Sequence, residues 1–318
     1  MSLNVTKENI FIFKHTWQII ANPTAMSNTG YKYWNKIANQ LNKLQLDYRF
    51  FISDDKDTSH ILIKELCQEG HKHFIVIGGD GTINNVINAI FTAGVDTHDI
   101  YLVVLPLGTG NDWCHTHNYP QYYMDTINIF LRGQFVRHDI GQIDCIADNG
   151  TRTTKYFINI AGFGFDANVI HHTARSKKHS SHVYLINLLK ILFSHKAQKI
   201  SIQADNATIE KNIFSIAVGI CQYNGNGMRQ VPMADPTDGL FNTLIVNKIS
   251  PWKIIRNIKR LYNGTIDHIN ETSYITSPNL HITADTPILG EIEGEPLPIT
   301  NHYQIQILPQ AINMLTGL

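Results

Sequence analysis

The first half of the chain alternates short apolar runs with amphipathic stretches. Four apolar runs predict buried β-strands, at 17–21, 46–52, 74–77 and 101–105. After the third run, the apolar positions recur at the spacing of one helical face, at Ile83, Val86, Ile87, Ile90 and Phe91. Two earlier stretches, around Trp34 and Ile61, also favour helices. Strands that alternate with helices indicate a parallel sheet with helices on both faces.

The pattern changes near Gly133, beyond which strands dominate. They are predicted at 135–147, 154–161, 198–204, 212–220, 240–247 and 279–284. In the last of these, apolar and polar residues alternate, which is typical of an antiparallel strand with one solvated face. Helices are predicted at about 183–194 and 251–262, and a final strand at 303–308 could join either sheet.

These patterns predict two domains in a chain of 318 residues. The first is a Rossmann-like three-layer α/β domain formed by 1–138 and about 299–318. The second is a C-terminal β-sandwich domain, with helical insertions, over 139–298. The chain thus combines an α/β domain with a β-rich domain.

Composition and charge limit which binding partners and which cellular location the sequence predicts. The 26 basic and 26 acidic residues balance, so net charge predicts no nucleic-acid partner. The N-terminus lacks a secretory pattern, and no apolar window approaches the roughly 20 residues of a transmembrane segment. The four cysteines form no C-x-x-C pair, which favours reduced thiols. We therefore expect a cytoplasmic protein that meets any membrane only at its surface.

A glycine-rich turn follows the third predicted strand, with the sequence Gly78-Gly79-Asp80-Gly81-Thr82. Glycines allow positive φ angles and a close approach of ligand, and the N–H groups that open a helix attract phosphate. A carboxylate beside phosphate is repulsive unless a cation lies between them, and Mg²⁺ suits such a site. The alternative is an ordinary turn in which Asp80 caps its helix.

A second glycine turn follows the fourth strand, from Pro106 through Gly108, Thr109 and Gly110 to Asn111-Asp112. The carboxyl ends of adjacent parallel strands lie at one edge of a sheet, where ligands bind. Thr82, Thr109 and backbone N–H groups could therefore bind one polyphosphate. Asp80 and Asp112 could then hold one hydrated metal ion.

The two turns together resemble the paired signature of the diacylglycerol kinase catalytic-domain family, which includes sphingosine, ceramide and soluble bacterial lipid kinases. Later segments follow the order of the family's motifs: Asn22-Pro23, Arg137–Gly141, Asn159–Asp166, Gly225–Met228, Asp238–Leu240 and Glu293-Gly294-Glu295. The resemblance implies an ATP- and Mg²⁺-dependent kinase that phosphorylates a diacylglycerol-like lipid at a membrane surface.

The resemblance also implies roles for individual residues. Nucleotide binding is expected of Asn22, Ser53, Gly78, Gly79, Gly81, Thr82, Asn84, Thr109 and Asn111. A carboxylate–water–Mg²⁺ network is expected of Asp80, Asp112 and Asp139. A structural Mg²⁺ is expected at Asp235, Asp238 and the Leu240 carbonyl, although Asp238 could simply begin a turn. Catalysis is expected of Glu293, where the family has aspartate, together with Asp80, and Glu295 is the alternative base.

Several alternatives stay open. NAD kinases share the first motif type, but the second turn, Pro106–Asp112, argues against that activity. Glu293 and the Thr24–Thr29 segment, where the family often has a glycine-rich loop, also allow a weakened relative that binds lipid or nucleotide without turnover. The basic stretch His171–His182 and the apolar helix after it could approach anionic lipid, or form a solvated loop beside a core helix. A homodimer is a further open alternative.

Overall fold

The computed structural model describes residues 11–22, 30–52, 55–108, 110–120, 123–127, 129, 133–147, 149–173, 181–205 and 207–317. The chain divides into two compact units. The first comprises Met1–His138 and Gln310–Leu318, and the second comprises Asp139–Pro309. Each unit has its own hydrophobic core, and the division falls within two long strands.

The first unit is built on a parallel sheet. Its strands are β1 Trp17–Ala21, β2 Tyr48–Ile52, β3 His73–Gly78 and β4 Tyr101–Pro106. Its helices are α1 Gly30–Lys43, α2 Lys56–Gln68, α3 Asp80–Phe91, α4 Asp112–Thr116 and α5 Tyr123–Thr126. The strand order is β2-β1-β3-β4, and all the pairings are parallel. The inner strands are buried almost throughout, as expected when helices cover both faces.

The second unit is built mainly from antiparallel strands. They are β5 Gln134–Ile146, β6 Arg152–Phe157, β7 Ile160–Gly164, β8 Gln198–Ala204, β9 Ala207–Gly219, β10 Phe241–Asn247, β11 Thr272–Ser277, β12 Asn279–Ile288, β13 Gly290–Ile292, β14 Glu295–Pro296 and β15 Thr300–Thr316. The helices are α6 Phe165–Thr173, α7 Ser181–Ser194 and α8 Pro251–Asn263, followed by a 3-10 turn at Ile266–His268. In the described part of the chain, no helix has both the length and the hydrophobicity to cross a membrane.

The long strand β9 organises this second unit. Its first half pairs with β8, its second half pairs with β7, and β10 lies along its other edge. Apolar side chains from these strands and the nearby loops form a buried cluster of Ile160, Ala217, Val231, Ala234, Leu244, Ile266 and Ile269. Period-two alternation along β12 agrees with its antiparallel pairing to β8 and β15.

The final strand differs from its predicted form, 303–308. β15 runs from Thr300 to Thr316; its first part pairs with β12, and Asn313 and Met314 pair with β4. Residues 299–309 consequently belong to the second unit, and the chain returns to the first unit only at Gln310. The predicted strand 154–161 is also two strands, because the chain breaks the pairing between Phe157 and Ile160.

In the second unit, a close contact between two neighbouring strands explains why one position is a glycine. Gly162 on β7 lies directly opposite Glu291 on β13. A Cβ atom on Gly162 would lie 2.5 Å from the Glu291 carboxylate and 3.2 Å from Cβ of Asp166. The Glu291 side chain is 2% exposed, so it has little room to move away. Gly162 is therefore required by packing and not by a special backbone angle.

We expect Gly162→Ala to destabilise the protein by about 1–3 kcal/mol, the usual cost of overfilling a packed interior. Urea denaturation measures this change. In a Glu291→Ala background the same substitution should cost much less, because the opposing carboxylate is gone. An equal cost in both backgrounds would show that Glu291 is not the obstacle.

The buried Glu291 carboxyl also predicts a pH dependence of stability. Burial raises its pKa from 4.5 to about 8, so the folded protein keeps this proton over a range in which the unfolded chain releases it. The free energy of unfolding should therefore fall as pH rises from about 5 to about 8. Urea denaturation of wild type and Glu291→Gln across this range isolates the effect. Parallel pH profiles would contradict it.

Candidate active site

The first glycine turn joins β3 directly to α3. Gly79 is the N-cap of this helix, with extended backbone, and Asp80 and Gly81 open its first turn. The N–H groups of Thr82 and Ile83 already donate to the Gly79 carbonyl. The helix therefore begins at the carboxyl end of a buried parallel strand, with its positive end directed toward that edge.

The second glycine turn is held by an asparagine. Asn111 has a φ of 52° and precedes α4. Its Oδ1 accepts from the Gly108 N–H at 3.1 Å, and its Nδ2 donates to the Gly108 carbonyl at 3.0 Å. Asparagine tolerates this left-handed conformation better than most residues. Asn111, predicted to bind nucleotide, thus also fixes the shape of the turn.

The two turns touch through their backbones. A Cβ atom on Gly79 would lie 2.9 Å from Cα of Gly108, and one on Gly108 would lie 2.5 Å from Cα of Gly79. The Leu107 N–H donates to the Gly78 carbonyl at 2.9 Å. Gly78, Gly79 and Gly81 do not adopt the positive φ angles that glycine allows. Close packing is what requires Gly79 and Gly108.

Asp80 connects the two turns. Its carboxylate accepts from the Asp112 N–H at 3.1 Å and from the Trp113 N–H at 3.2 Å. It therefore satisfies N–H groups that open α4, whereas the N-cap of its own helix is Gly79, without a side-chain bond. The alternative in which Asp80 caps its own helix is thereby excluded.

Asp80 and Asp112 form a pair of neighbouring carboxylates. A Cβ atom on Gly110 would lie 3.3 Å from Oδ2 of Asp80 and 3.5 Å from Oδ2 of Asp112. Burial raises the pKa of the Asp80 carboxyl, and the nearby charge of Asp112 raises it further. A divalent cation would offset both charges, and paired carboxylate oxygens are donors that Mg²⁺ accepts. These two residues therefore fit the predicted metal role.

A recess lies beside the first turn, at the carboxyl end of β1. Its polar lining includes Asn22, Asp55, Lys56, Ser59, Gly81, Thr82 and Asn85. Asn22 donates its N–H to the Ile77 carbonyl at 3.3 Å, which fixes the end of β1 beside β3. Asn85, on α3, follows the predicted Asn84 and was not itself singled out from the sequence. Lys56 and Ser59 were not singled out either, because α2 carries no motif. Only the fold brings its first turn to this recess.

The remaining nucleotide-binding candidates in this unit have different surroundings. Asn84 is 3% exposed, and its Oδ1 accepts from Nδ2 of Asn88 at 2.9 Å within α3. It thus lies in the interior of the helix packing. Ser53 and Thr109 lie outside the described residues.

In the second unit, Glu293 and Gly294 form the two-residue loop between β13 and β14. Ile292 pairs with Glu295, and the loop residues have φ angles of 50° and 78°. Positive φ at both central positions identifies a type I′ turn, which favours Asn, Asp or Gly first and Gly second. Glutamate at the first position is unusual, since a left-handed conformation costs a non-glycine residue roughly 1–2 kcal/mol.

The Glu293 carboxylate is held by the backbone of the loop between β6 and β7. Its Oε1 accepts from the N–H groups of Ile158 at 3.1 Å and Asn159 at 2.7 Å. On the inner side of the turn, Oε2 of Glu291 accepts from the Gly294 N–H at 2.9 Å. Sequence reasoning missed Glu291, which resembled an ordinary polar residue of an alternating strand.

The predicted structural metal residues, Asp235, Asp238 and Leu240, lie on one loop. Asp139, whose expected place in the carboxylate–water–Mg²⁺ network stays a prediction, contacts this loop from β5. Asp139 donates its N–H to the Pro236 carbonyl, and its carboxylate accepts from the Gly239 N–H at 2.7 Å. Asp238 accepts from the Leu240 N–H at 2.9 Å. Burial raises the pKa of the Asp238 carboxyl, and the Asp235 charge raises it further. Asp235 also accepts from Thr237. Neighbouring carboxylates suit a cation, but each also makes an ordinary turn contact.

Two family models match the chain. The diacylglycerol kinase catalytic domain matches residues 16–143, and the YegS C-terminal NAD kinase beta sandwich-like domain matches residues 159–316. The first match contains both glycine turns, and the second contains the Glu293 turn. The predicted fold class, an α/β domain followed by a β-sandwich domain, is confirmed.

Curated relatives agree with this assignment. A protein named "Probable lipid kinase YegS-like" from Yersinia pestis (strain Pestoides F) is 30% identical over 237 residues, which cover 74% of this chain and 75% of that protein. The relative of the same name from Yersinia pseudotuberculosis serotype O:1b (strain IP 31758) matches equally.

Solved structures share the fold. A "putative diacylglycerol kinase" from Bacillus anthracis str. Sterne has a TM-score of 0.76 at 20% identity and covers 95% of this chain and 97% of its own. Yeast NADH kinase, solved with NADH, has a TM-score of 0.55 at 9% identity, covering 96% and 84% of the two chains. The chain therefore belongs to the diacylglycerol kinase catalytic-domain family of lipid kinases.

Proposed function

We propose that the chain transfers the γ-phosphate of ATP to the hydroxyl of a diacylglycerol-like lipid. The observation that carries this proposal is the backbone contact between Gly79 and Gly108, because it holds the Asp80 and Asp112 carboxylates beside the N-terminus of α3. Phosphoryl transfer depends mainly on positioning and electrostatic stabilisation, and this arrangement offers both.

The first unit would bind the nucleotide. Phosphate oxygens fit the N-terminus of α3, where Gly81 leaves the backbone accessible, since nothing lies within 4 Å of its missing Cβ. Thr82 lines the same recess as Lys56 and Asp55, which carry opposite charges. Asn22 would contact the nucleotide from the end of β1.

Asp80 and Asp112 would hold Mg²⁺ together with phosphate oxygens and water. The ion, when bound, neutralises charge that develops on the transferring phosphoryl group. Asp80 is oriented for this by the two N–H groups of α4, so its carboxylate does not have to be ordered when the ligand binds. In this proposal Asp235, Asp238 and the Leu240 carbonyl would hold a structural cation, and the Asp139 carboxylate supports their loop by accepting from the Gly239 N–H.

Glu293 would be the general base. The Glu293 carboxylate accepts the proton of the lipid hydroxyl while the hydroxyl oxygen attacks the γ-phosphorus. The bond from that phosphorus to the bridging oxygen breaks, and ADP leaves. The N–H groups of Ile158 and Asn159 bind Oε1 of Glu293 and fix its orientation.

The direct test uses radiolabelled ATP and Mg²⁺ with a panel of acceptors: diacylglycerol, sphingosine, ceramide, monoacylglycerol and NAD. Labelled phosphatidic acid is the expected product. Labelled NADP instead would replace the proposal with NAD kinase activity, the alternative to which the NADH kinase fold gives weight. ATP binding without any labelled product would favour a binding protein.

We expect Asp80→Asn to reduce kcat by roughly a hundredfold or more, the scale on which one electrostatic contact to a reacting group acts. The asparagine Oδ1 can still accept one N–H of α4, so the fold should survive, which thermal unfolding can check. The matched control is Asp99→Asn, since Asp99 makes an exposed ion pair with Lys72. Unchanged turnover in a folded Asp80→Asn protein would refute the assignment.

The role of Glu293 as general base can be tested by substitutions at this position. Glu293→Gln keeps an oxygen for the N–H groups of Ile158 and Asn159 but cannot take a proton. We expect it to slow turnover by about 10²–10⁴-fold, the usual contribution of a general base. Glu293→Asp withdraws the carboxylate by roughly 1 Å and should also slow turnover substantially. If Glu295→Gln is the more damaging change, Glu295 is the base.

A further inference from the structure

Helix α8 lies on the surface of the second unit with well-defined ends. Ser250 caps its first turn by accepting from the Lys253 N–H at 3.3 Å, and proline occupies the first helical position. Gly264 ends the helix with a φ of 66°. None of its residues is buried. The helix therefore has defined caps at both ends, although none of its side chains is fully buried.

Only one side of α8 is attached to the rest of the unit. Leu261 packs against the buried cluster, and the Lys253 ammonium pairs with Glu271 at 2.7 Å. Arg260 donates to Asn257 at 3.0 Å along the same side. These contacts fix the orientation of the helix, and therefore of its outer face.

The outer face of α8 is apolar and basic. Trp252 is 69% exposed, Ile258 is 48% exposed and Tyr262 is 51% exposed. With Ile255 they form one continuous stripe at helical spacing. Arg256 and Lys259 are exposed, Lys253 and Arg260 lie on the attached side, and no acidic residue occurs in this helix. A basic helix with Trp and Ile on its apolar side is typical of helices that lie in a membrane interface.

Helix α7 continues the same surface. Ile186, Leu189 and Phe193 follow the i, i+3, i+7 spacing of one helical face, and all three are exposed. The rings of Phe193 and Trp252 are 5.2 Å apart, so the two apolar stripes meet. We call the exposed apolar side chains of the two helices, with Arg256 and Lys259, the α7–α8 surface.

The concentration of exposed apolar groups here is unusual within the molecule. Ten large hydrophobic side chains are exposed in the described part of the chain, and six of them belong to the α7–α8 surface. Scattered apolar residues need no explanation, but a contiguous patch marks an interaction site.

We propose that the α7–α8 surface docks on the interface of an anionic lipid bilayer, with α8 lying in the plane of the headgroups. Trp and Tyr favour this depth, while Arg and Lys attract anionic headgroups. A second copy of the chain is a poorer partner, because it would bring the cations of one α8 against those of another. The choice of a bilayer rests on the proposed function, since a lipid kinase must reach a substrate dissolved in the membrane.

The proposal does not depend on the basic stretch that the sequence suggested for lipid contact. Arg175, Lys177 and Lys178 lie outside the described residues. Ile186, Leu189 and Phe193 of α7 lie beyond this stretch and are exposed. Helix α8, which the sequence analysis predicted only as a helical insertion, supplies the positive charge.

The test is cosedimentation of the full chain with vesicles of phosphatidylcholine alone or of phosphatidylcholine with phosphatidylglycerol. Wild type should bind the anionic vesicles much more strongly, and Trp252 fluorescence should shift to the blue. Arg256→Gln with Lys259→Gln should weaken binding about 25-fold, since each surface cation contributes roughly fivefold. The matched control is Lys211→Gln, an exposed cation of β9.

The apolar part is tested by Trp252→Ala with Ile258→Ser, which should also release the protein from vesicles. Its control is Ile61→Ser on α2, where the side chain is 57% exposed but lies outside the surface. A wild type that ignores anionic vesicles, or surface variants that bind like wild type, would overturn the proposal. Variants that abolish only a dimer in sedimentation would instead assign the surface to self-association.

Activity on two forms of substrate separates this inference from the proposed function. The surface variants should keep the wild-type rate on a short-chain, water-soluble diacylglycerol and lose activity on diacylglycerol in vesicles. Equal losses on both forms would contradict a docking role. If wild type binds vesicles but phosphorylates no lipid, the kinase proposal fails and the docking surface stands.

Discussion

The contact between Gly79 and Gly108 is the constraint on which the first unit's site depends. Cβ atoms at these positions would lie within 3 Å of backbone, so neither residue can carry a side chain without separating the turns. The parallel register between β3 and β4 brings Gly78 opposite Pro106, directly before this contact. The two helices that follow therefore start side by side, and Asp80 can reach the N–H groups of α4.

The strands, turns and helices of this arrangement could be predicted from the sequence, but the contacts that hold the two turns together could not. The apolar run of β3 and the stripe of α3 specify a strand–turn–helix unit, since buried strands and amphipathic helices have distinct periods. The sequence singled out the glycines for positive φ angles and for the close approach of a ligand, but not for the contact between the turns, because contact between distant turns leaves no local signature. Lys56 and Glu291 were missed for a similar reason: their importance comes from what the fold brings beside them.

Asp80 illustrates how one carboxylate can serve both structure and chemistry. Its N–H donors favour the ionised form, whereas burial and the Asp112 charge oppose it. Without these donors, two like charges would lie close together in a buried site with less compensation. A cation beside them removes the opposition and leaves the donors in place. In the proposed function, the same side chain therefore holds α4 when no ligand is bound and contributes to a metal site when phosphate binds.

The Glu293 turn shows a different compromise. Aspartate suits the first position of a type I′ turn, yet its shorter side chain would reach less far from the same backbone. The left-handed conformation is unfavourable for glutamate. Its longer side chain, however, reaches the N–H groups of Ile158 and Asn159. Those two bonds and the support of Gly294 by Glu291 offset that cost. A substitution that changes side-chain length is thus compatible with an ordered carboxylate, because the surrounding backbone provides donors at the greater distance. The departure from aspartate is therefore no evidence by itself for lost activity, since what a general base requires is a fixed carboxylate and not a particular residue type.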